Sequence, residues 1–529
     1  MTKRTNRLAA LGAGAALAAG AAIAASGAIA HPGGHADPSF GVVGSYSTGL
    51  GIDSGETSAF AKGRLYVTNS DDNSLDIVDA SDPSAPSLLQ RIDLSPWGAG
   101  PNSVDVGRRF VAVAVEADPK TDPGHVVFFR HDGTFVRSVE VGALPDMVTF
   151  TKGGHKLLVA NEGEPSSYGR PDSVDPEGTI SIIGTTRMSA SRAPWFRTID
   201  FNAFDEGGPR HGELPADLRL NGPGASVSQD LEPEYIAVEK GERTAWVSLQ
   251  EANAAVRIDL RRGKVQKIAS LGWKDHSVPG AGLDPSDRDG AIAIAPRPVR
   301  GLYMPDALAA FRVKGRDYFI TANEGDGRDY DGFVDDDRVK DVDLDPTAFP
   351  NAADLQQDEA LGRLTISTTD GVGADGEHEA LYAFGARSAT IWNAHGQRVW
   401  DSGDTIEQKV AADAPEAFNT DNEENELENR SDNKGPEPEG VAVGKIRGRT
   451  YAFVGLERQG GFIAFDVSKP HRPRLVQWAN NRDYTADPVG PDSGPEIIRF
   501  VDAWHSPTHR PLVIVSNEIT GTVTFYEAS

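Results

Sequence analysis

The strongest constraint on the fold is a phrase of two short strands that recurs along the chain. In its clearest form a proline and an acidic residue open an apolar strand, a basic or glycine-rich turn follows, and a second apolar strand ends on another acid. Proline lacks the backbone N–H that a ladder needs, so it can open a strand but not occupy its middle. Each copy therefore places one carboxylate at the start of a strand and a second just past the end of the next strand.

The phrase occurs seven times. Five copies carry both acids and begin at Pro145, Pro233, Pro305, Pro438 and Pro495. Two looser copies run from residue 56 to 69 and from 101 to 116. Self-similarity with a period of tens of residues is typical of repeat architectures, and short strands with glycine-rich turns are typical of propellers. We therefore predict an all-β fold, a seven-bladed β-propeller of the YVTN/WD40-like kind, with long acidic loop insertions.

The start of the chain predicts export. Three basic residues, Lys3, Arg4 and Arg7, precede an apolar run that ends on small residues near position 30, which is the pattern of a secretory signal with its cleavage site. We expect residues 1–30 to be a signal peptide, 31–41 a flexible leader and 42–529 a single β-propeller domain. No later stretch is apolar enough to cross a bilayer, and the chain ends without a lipidation signal. The expected product is a secreted, extracellular monomer with no membrane span after signal cleavage.

Composition narrows the classes of partner. The chain has 78 Asp and Glu against 52 Lys and Arg, a formal net charge of −26, and no cysteine. The lack of cysteine excludes disulfides, thiolate metal sites and cysteine nucleophiles. Such a negative surface repels nucleic acid and anionic membranes and attracts cations. We therefore expect divalent cations as partners and no nucleic acid, although the charge also fits simple solubility outside the cell.

A propeller would bring the repeated acids together, because the first strand of every blade lines the central channel. Carboxylates that share a site raise each other's pKa unless protons, basic groups or cations offset them. Hard oxygen ligands suit Ca²⁺, with Mg²⁺ as the alternative ion. The predicted metal ligands are Asp146, Glu162, Glu234, Glu251, Asp306, Glu324, Asp326, Glu439, Glu457, Glu496 and Glu518.

Architectural interpretations of the same acids stay open. An acid beside a proline can simply accept backbone N–H groups and fix one blade to the next. The loop from Asp326 to Asp345 offers a second cation site through Asp326, Asp329, Asp331 and Asp335, or it is only a solvated acidic loop. It is not an EF-hand, because the ligand order and the closing glutamate are missing.

Motifs for catalysis are absent: the sequence has no GxSxG elbow, no HExxH and no phosphate-binding glycine loop. No catalytic residue is assigned. Arg430 and Lys434 are the basic groups placed by sequence near the mouth at Pro438, and they are the candidate substrate-binding residues for a phosphate or carboxylate oxygen. The alternative is that both form salt bridges with neighbouring acids.

Several phrases resemble the choice-of-anchor I family, namely LVANEGEPSSYG, YFITANEGDGRDYDGF, RSDNKGPEPEGVAVG and LVIVSNEITGTVTFYE. The resemblance runs from about residue 42 to the end of the chain. It implies a secreted or surface β-propeller, similar to mesenchyme-specific cell-surface glycoproteins of biomineralising animals and to atypical bacterial alkaline phosphatases. The family's name reflects variable C-terminal anchors; this chain shows none, so we expect release rather than attachment.

Two functions follow from these observations. The first is a secreted acidic propeller that binds Ca²⁺ through an axial carboxylate ring and acts as an extracellular binding or mineral-interaction protein. The alternative is a Ca²⁺-dependent phosphoesterase, alkaline phosphatase-like or phytase-like, with its site in the axial cleft. The partner of the first would be a mineral surface, and that of the second a phosphate ester. Whether the protein is an enzyme stays an open question.

Overall fold

The recurring phrase folds into four-stranded antiparallel sheets. The computed structural model describes residues 36–52 and 54–529, and seven sheets of four strands lie within those ranges. The predicted signal peptide lies outside the described residues. The strands are, in sheet 1, Ser54–Ala61, Arg64–Asn69, Ser74–Asp79 and Ser87–Asp93; in sheet 2, Gly100–Val106, Val111–Glu116, Pro123–Phe129 and Phe135–Ala143; in sheet 3, Pro145–Phe150, Lys156–Asn161, Thr179–Gly184 and Trp195–Ile199; in sheet 4, Pro233–Val238, Thr244–Leu249, Ala254–Asp259 and Lys264–Ser270; in sheet 5, Leu308–Val313, Arg316–Asn323, Ser388–Asn393 and Arg398–Asp401; in sheet 6, Pro438–Ile446, Arg449–Leu456, Phe462–Asp466 and Arg474–Ala479; and in sheet 7, Pro495–Val501, Leu512–Asn517, Thr522–Ala528 and Phe40–Ser47.

The first strand of each sheet in this order, which we call its inner strand, contacts the inner strand of the next sheet. The inner strand of sheet 7 in turn contacts that of sheet 1. The second strands are buried on both faces, as in Leu512–Asn517, where every residue is buried. This explains why they read as continuous apolar runs rather than alternating ones.

Sheet 7 joins the two ends of the described chain. Phe40 pairs with Ala528, and after a register shift between Val42 and Gly44 the pairing reaches Ser47 opposite Thr522. The ring of Phe40 packs edge-to-face against Phe453, with the centroids 5.3 Å apart. The strand therefore begins two residues before the predicted domain start at residue 42, and the predicted leader ends too late. Sequence patterning missed this because the partner strand lies at the opposite end of the chain.

The remaining elements lie in the insertions. A three-stranded sheet is formed by Trp273–Asp275, Val299–Leu302 and Leu381–Ala383; two short hairpins pair Asp329–Tyr330 with Phe333–Val334 and Asp336–Arg338 with Thr365–Ser367. The α-helices are Val227–Asp230, Ala352–Leu355 and Thr405–Asp413, and the 3₁₀ helices are Asn202–Phe204, His211–Glu213, Val339–Asp341 and Pro415–Ala417. None of the described helices has the length and apolar character that crossing a membrane requires.

Four insertions meet at the end where the inner strands begin. We call segments 163–178, 201–232, 325–387 and 402–437 the cap. Each follows a second or fourth strand of its sheet, and in an antiparallel sheet those strands end where the inner strand starts. The backbone N–H of Tyr168 donates to the carbonyl of Asp331 at 2.9 Å, and Arg219 forms an ion pair with Asp335. The cap is therefore held together by contacts between insertions that are distant in sequence.

The other end of the inner strands is open, and its lining mixes apolar and charged side chains. A cavity of about 390 Å³ lies there, with Phe150, Tyr235, Val443, Arg499 and Phe500 among its lining residues. The proline-linked and strand-end acids of the repeats lie at the opposite, capped end.

Candidate metal centre

In four of the five copies the acid after the proline sits in a break in the strand ladder; in the fifth, Pro305 and Asp306 lie before the strand, which begins at Leu308. Pro145 pairs with Asn161, but the next paired residue is Met147, so Asp146 is left out of the register. A bulge of this kind frees a residue from the ladder and redirects its side chain. The same shift leaves out Glu234, Glu439 and Glu496.

The strand-end acids are fixed beside these bulges by a repeated backbone hydrogen bond. The N–H of the strand-end acid donates to the carbonyl of the residue before the proline. The bonds are Glu162 to Leu144 at 2.8 Å, Glu457 to Glu437 at 2.9 Å and Glu518 to Gly494 at 2.8 Å. The two acids of one copy are therefore neighbours in space, although at least 16 residues separate them in sequence.

Burial and mutual repulsion raise the pKa of most of these carboxyl groups. Burial, followed by the charges of Glu164 and Glu116, raises the pKa of Asp146 to about 7. Burial raises the pKa of Glu457 to about 8, with Glu437 adding to the effect and Arg458 opposing it. For five others burial is again the leading cause and the pKa lies well above its ordinary value: Glu162, Glu234, Asp306, Glu439 and Glu496. At neutral pH these groups need protons or cations.

One group, which we call the open cluster, consists of Glu162, Glu234 and Glu251. Each offers a carboxylate oxygen within 4.8 Å of the others. The three residues are 8%, 6% and 9% exposed, and Glu234 Oε2 and Glu251 Oε2 have no hydrogen-bond partner. Burial leads in raising the pKa of Glu251 to about 7, with Arg328 opposing the shift. Buried carboxylate oxygens without partners are costly, so this arrangement favours a bound cation.

No described lysine or arginine forms an ion pair with the open cluster. Arg328, whose charge opposes the raised pKa of Glu251, is paired elsewhere: its Nη2 lies 2.5 Å from Glu232 Oε2 and 3.0 Å from Asp230 Oδ1. Arg328 is buried between these two acids. The open cluster is therefore left with three acids and no internal counter-charge.

A second group, the compensated cluster, consists of Glu324, Glu437 and Glu457, again with oxygens within 4.8 Å of one another. Lys434 Nζ lies 2.7 Å from Glu324 Oε1 and 2.7 Å from Glu437 Oε1. Arg458 Nε lies 3.1 Å from Glu437 Oε2. The side chain of Lys434 thus occupies the position that a bound cation would take.

The charge state of Glu437 shows how strong this compensation is. Burial alone would raise its pKa, but Lys434, Arg430 and Arg458 together hold it well below its ordinary value. Burial likewise opposes the charge on Lys434, yet Glu324 and Glu437 hold the pKa of Lys434 well above its ordinary value. Three bases therefore pair with the acids of this cluster, whereas no described lysine or arginine pairs with the open cluster.

The remaining predicted ligands lie between or beside the two clusters. The charge of Glu496 contributes to the raised pKa of Glu439. After burial, the charge of Glu324 contributes most to the raised pKa of Asp306. The charge of Glu518 contributes to the raised pKa of Glu496. The structure therefore brings these acids into one electrostatic group at the capped end.

Asp326 and the acidic loop behave differently. The side chain of Asp326 is 65% exposed and lies 3.6 Å from Lys434, outside both clusters. Asp331 pairs with Arg170, and Asp335 is fully buried in its pair with Arg219. The interpretation of a simply solvated loop is therefore wrong for Asp335, because an arginine from another insertion neutralises it.

The candidate substrate-binding residues are engaged by acids. Besides the contacts of Lys434, Arg430 Nη2 lies 3.0 Å from Glu437 Oε2. This geometry corresponds to the salt-bridge alternative for Arg430 and Lys434. Their role in binding a substrate stays a prediction.

Sequence reasoning missed Glu232 and Glu437 and the bases that bind them, Arg328 and Arg458. A signal for the two acids was present: Glu232 and Glu437 each open a Glu-Pro-Glu triplet, whose second glutamate was among the predicted ligands. The first glutamate of each triplet binds arginine, and the second is buried beside other acids. Arg328 carries no such signal because it comes from a distant insertion, whereas Arg458 directly follows the predicted ligand Glu457.

Comparison with known proteins shows which family the chain resembles. Residues 57–470 match the family model of the choice-of-anchor I domain. Gigasin-3a of Magallana gigas is 30% identical over 190 residues, covering 32% of this chain and 66% of that protein. The mesenchyme-specific cell surface glycoprotein of Strongylocentrotus purpuratus is 27% identical over 295 residues, covering 49% of this chain and 38% of that protein. The chain thus spans less than two thirds of the length of either relative.

Solved structures resemble the chain weakly. Hydrazine synthase of Kuenenia stuttgartiensis has a TM-score of 0.46 at 12% identity, covering 91% of this chain and 98% of that one. The Cps50 (Swd1) β-propeller domain of Myceliophteria thermophila has a TM-score of 0.44 at 10% identity, covering 93% and 100%. A streptogramin B lyase has a TM-score of 0.45 at 8% identity, covering 93% and 98%.

Proposed function

The protein belongs to the choice-of-anchor I domain family, and from that premise we propose that it is an extracellular or cell-surface β-propeller that binds Ca²⁺ at the open cluster. We further infer that the seven four-stranded sheets are the blades of a seven-bladed propeller, which the succession of inner-strand contacts supports. In this proposal the bound ion serves an extracellular binding or mineral-interaction role. A surface location agrees with the name of the sea urchin relative.

The observation that carries the proposal is the difference between the two clusters. Both contain three glutamates within 4.8 Å, and both adjoin a Glu-Pro-Glu triplet. One contains the ammonium group of Lys434, whereas the other has unpartnered oxygens on Glu234 and Glu251. An external cation at the open cluster would supply the charge that Lys434 supplies at the compensated cluster.

The donor set favours Ca²⁺ over Mg²⁺. Ca²⁺ takes six to eight oxygen ligands at flexible geometry, and carboxylates can bind it through one or both oxygens. Mg²⁺ demands near-ideal octahedral geometry and keeps several waters, which three crowded glutamates in a buried site would hinder. Residues Glu162, Glu234 and Glu251 would hold the ion. Its charge would lower the pKa of all three and keep them ionised.

Calorimetric titration of chelator-treated protein with Ca²⁺ and with Mg²⁺ tests the proposal. We expect Ca²⁺ to bind in preference to Mg²⁺ and to raise the melting temperature. The variants Glu234→Gln and Glu251→Gln should lower the Ca²⁺ affinity at least tenfold. Asp375→Asn, in the more exposed group of Asp345, Asp375 and Glu377, is the matched control and should leave the affinity unchanged.

Two results would contradict the proposal: no Ca²⁺ uptake by the chelated protein, or uptake that persists undiminished in both variants. The phosphoesterase alternative would require Arg430 and Lys434 to leave their carboxylate partners. Hydrolysis of p-nitrophenyl phosphate or phytate that chelator abolishes would support that alternative, and the same preparations serve for the assay.

A further inference from the structure

An acid-free, arginine-bearing segment stands out on this acidic chain. Residues 178–199 contain three arginines and no aspartate or glutamate, in a protein with 78 acids among 529 residues. The segment forms the third and fourth strands of sheet 3 and the turn that joins them. Its surface is therefore locally positive, against the charge of the whole molecule.

The turn is held in one conformation by the neighbouring sheet. Met188 is 1% exposed and anchors the turn in the core. Arg109 Nη1 donates to the carbonyl of Thr186 at 2.9 Å, and Arg137 Nη2 donates to the carbonyl of Ala190 at 3.0 Å. Ser189 and Arg192 exchange backbone hydrogen bonds at 3.1 and 3.2 Å. These contacts preorganise the turn, and preorganisation lowers the entropic cost of binding.

A cleft of about 340 Å³ lies against this turn. We call it the arginine cleft; its lining includes Arg187, Arg192, Pro194 and Trp195. Both arginines are exposed, and neither forms an ion pair with a described carboxylate. Unlike Arg328 and Arg458, which are paired with glutamates, these two guanidinium groups are available to a ligand.

Trp195 gives the cleft an aromatic wall. It is 47% exposed, and it pairs in the ladder with Gly184. A Cβ on Gly184 would lie 3.1 Å from the indole ring, so glycine makes room for the ring to lie over the strand. Arg197 Cζ lies 5.4 Å from the centroid of the indole, on a cation–π contact that helps to hold the ring.

We propose that the arginine cleft binds an acidic sugar unit of an anionic polysaccharide. Guanidinium groups bind carboxylate and sulfate oxygens in pairs of parallel hydrogen bonds, and Arg187 and Arg192 supply two such groups. The indole of Trp195 offers an apolar face on which the C–H face of a sugar ring can stack. The site is distinct from the open cluster and needs no metal ion.

The charge of the whole chain argues against a nucleic acid as the ligand. Duplex DNA carries one negative charge per about 1.7 Å of its axis. A protein with a net charge of −26 would repel the parts of such a duplex that extend past the cleft. A glycan with one acidic group per sugar has a lower charge density. It can satisfy the local arginines without bringing many further charges against the acidic surface.

Binding of oligogalacturonate of four to six units tests the proposal, with its methyl ester as a probe of the same sugars without charge. All titrations contain chelator, so that no metal ion is bound at the open cluster. Each titration is done at low and at high salt. We expect the acid form to bind and the methyl ester not to bind. The double variant Arg187→Gln/Arg192→Gln and the single variant Trp195→Ala should each weaken binding at least tenfold. High salt should weaken binding to the wild type, because the contacts are exposed ion pairs.

Arg316→Gln, at an exposed arginine that begins the second strand of sheet 5, is the matched control and should bind as the wild type does. Unchanged melting temperatures would show that the cleft variants remain folded. The proposal is overturned if no oligogalacturonate binds, if the control loses as much affinity as the cleft variants, or if a single-stranded oligonucleotide binds more tightly with the same dependence on Arg187 and Arg192.

Discussion

At the scale of the residue, Lys434 is the internal counter-ion of the compensated cluster. Lys434→Met keeps most of the side-chain volume but leaves Glu324 and Glu437 without their shared ammonium group. Breaking a buried ion pair by removing one partner costs about 3–5 kcal/mol. We expect a loss of that order in the free energy of unfolding, measured by guanidinium denaturation at pH 7 in chelator.

The exposed Lys264 provides the control, since Lys264→Met removes the same charge from a surface strand. It should change the free energy of unfolding by less than about 0.5 kcal/mol. Equal stability of Lys434→Met and the wild type would show that the cluster does not depend on its lysine. Restored stability of Lys434→Met on adding Ca²⁺ would show that the two clusters are chemically equivalent.

The raised pKa of Glu457 makes the folded protein less stable as pH rises. Its pKa in the folded protein is about 8, whereas an unfolded glutamate has a pKa near 4.3. Between these values the folded chain holds a proton that the unfolded chain has released. Stability from this group is therefore fully present below about pH 4 and is lost as pH rises through about 8.

The variant Glu457→Gln removes this titration. We expect the melting temperature of the metal-free wild type to fall more steeply between pH 5 and 8.5 than that of Glu457→Gln. The variant should keep part of the slope, because Asp146 and Glu251 have pKa values of about 7 and titrate in the same direction. Parallel curves for the two proteins would count against a raised pKa at Glu457.

At the scale of the element, the sequence was sufficient for the strand pairs but not for their register. The proline and the apolar alternation that follows indicate where each inner strand begins. Nothing local shows that Asp146 falls in a bulge, because that break depends on pairing with Asn161 in the second strand. The same limit applies to the bases: Arg328 reaches Glu232 across 96 residues, a contact that no short motif reports.

Close packing of neighbouring inner strands is testable at Gly440. A Cβ at this position would lie 2.3 Å from the carbonyl oxygen of Glu496 in the next sheet. Gly440→Ala must therefore move one inner strand, and such overpacking costs about 1–3 kcal/mol. Because Gly440 follows Glu439, the shift should also disturb the carboxyl pair of Glu439 and Glu496.

The control is Gly241, where an added Cβ meets nothing within 4 Å. Gly241→Ala should be neutral or slightly stabilising in chemical denaturation, while Gly440→Ala should be destabilised. If the two substitutions have the same effect, the inner strands of sheets 6 and 7 do not approach as closely as described.

At the scale of the whole molecule, the succession of sheets depends on a strand from the start of the described chain. Phe40–Ser47 is the outer strand of sheet 7, whose other three strands come from residues 495–528. Without it, the edge of Thr522–Ala528 would be unpaired and the site of the Phe40 ring beside Phe453 would be empty. Unpaired edges and exposed apolar surface both favour association with other chains.

A chain that starts at Gly49 should therefore melt at a lower temperature than one that starts at Ala36, and it should aggregate more readily.

Phe40→Ala isolates the packing contribution, since Phe40 is 5% exposed and truncation of a buried phenylalanine costs about 3–5 kcal/mol. Val42→Ala, at a position that is 42% exposed on the same strand, is the control and should cost little. Adding a peptide of residues 38–48 to the shorter chain should restore much of the lost melting temperature, because the peptide can re-form the antiparallel pairing with Thr522–Ala528. Equal melting temperatures for the two truncations would mean that the sheets hold their order without this strand.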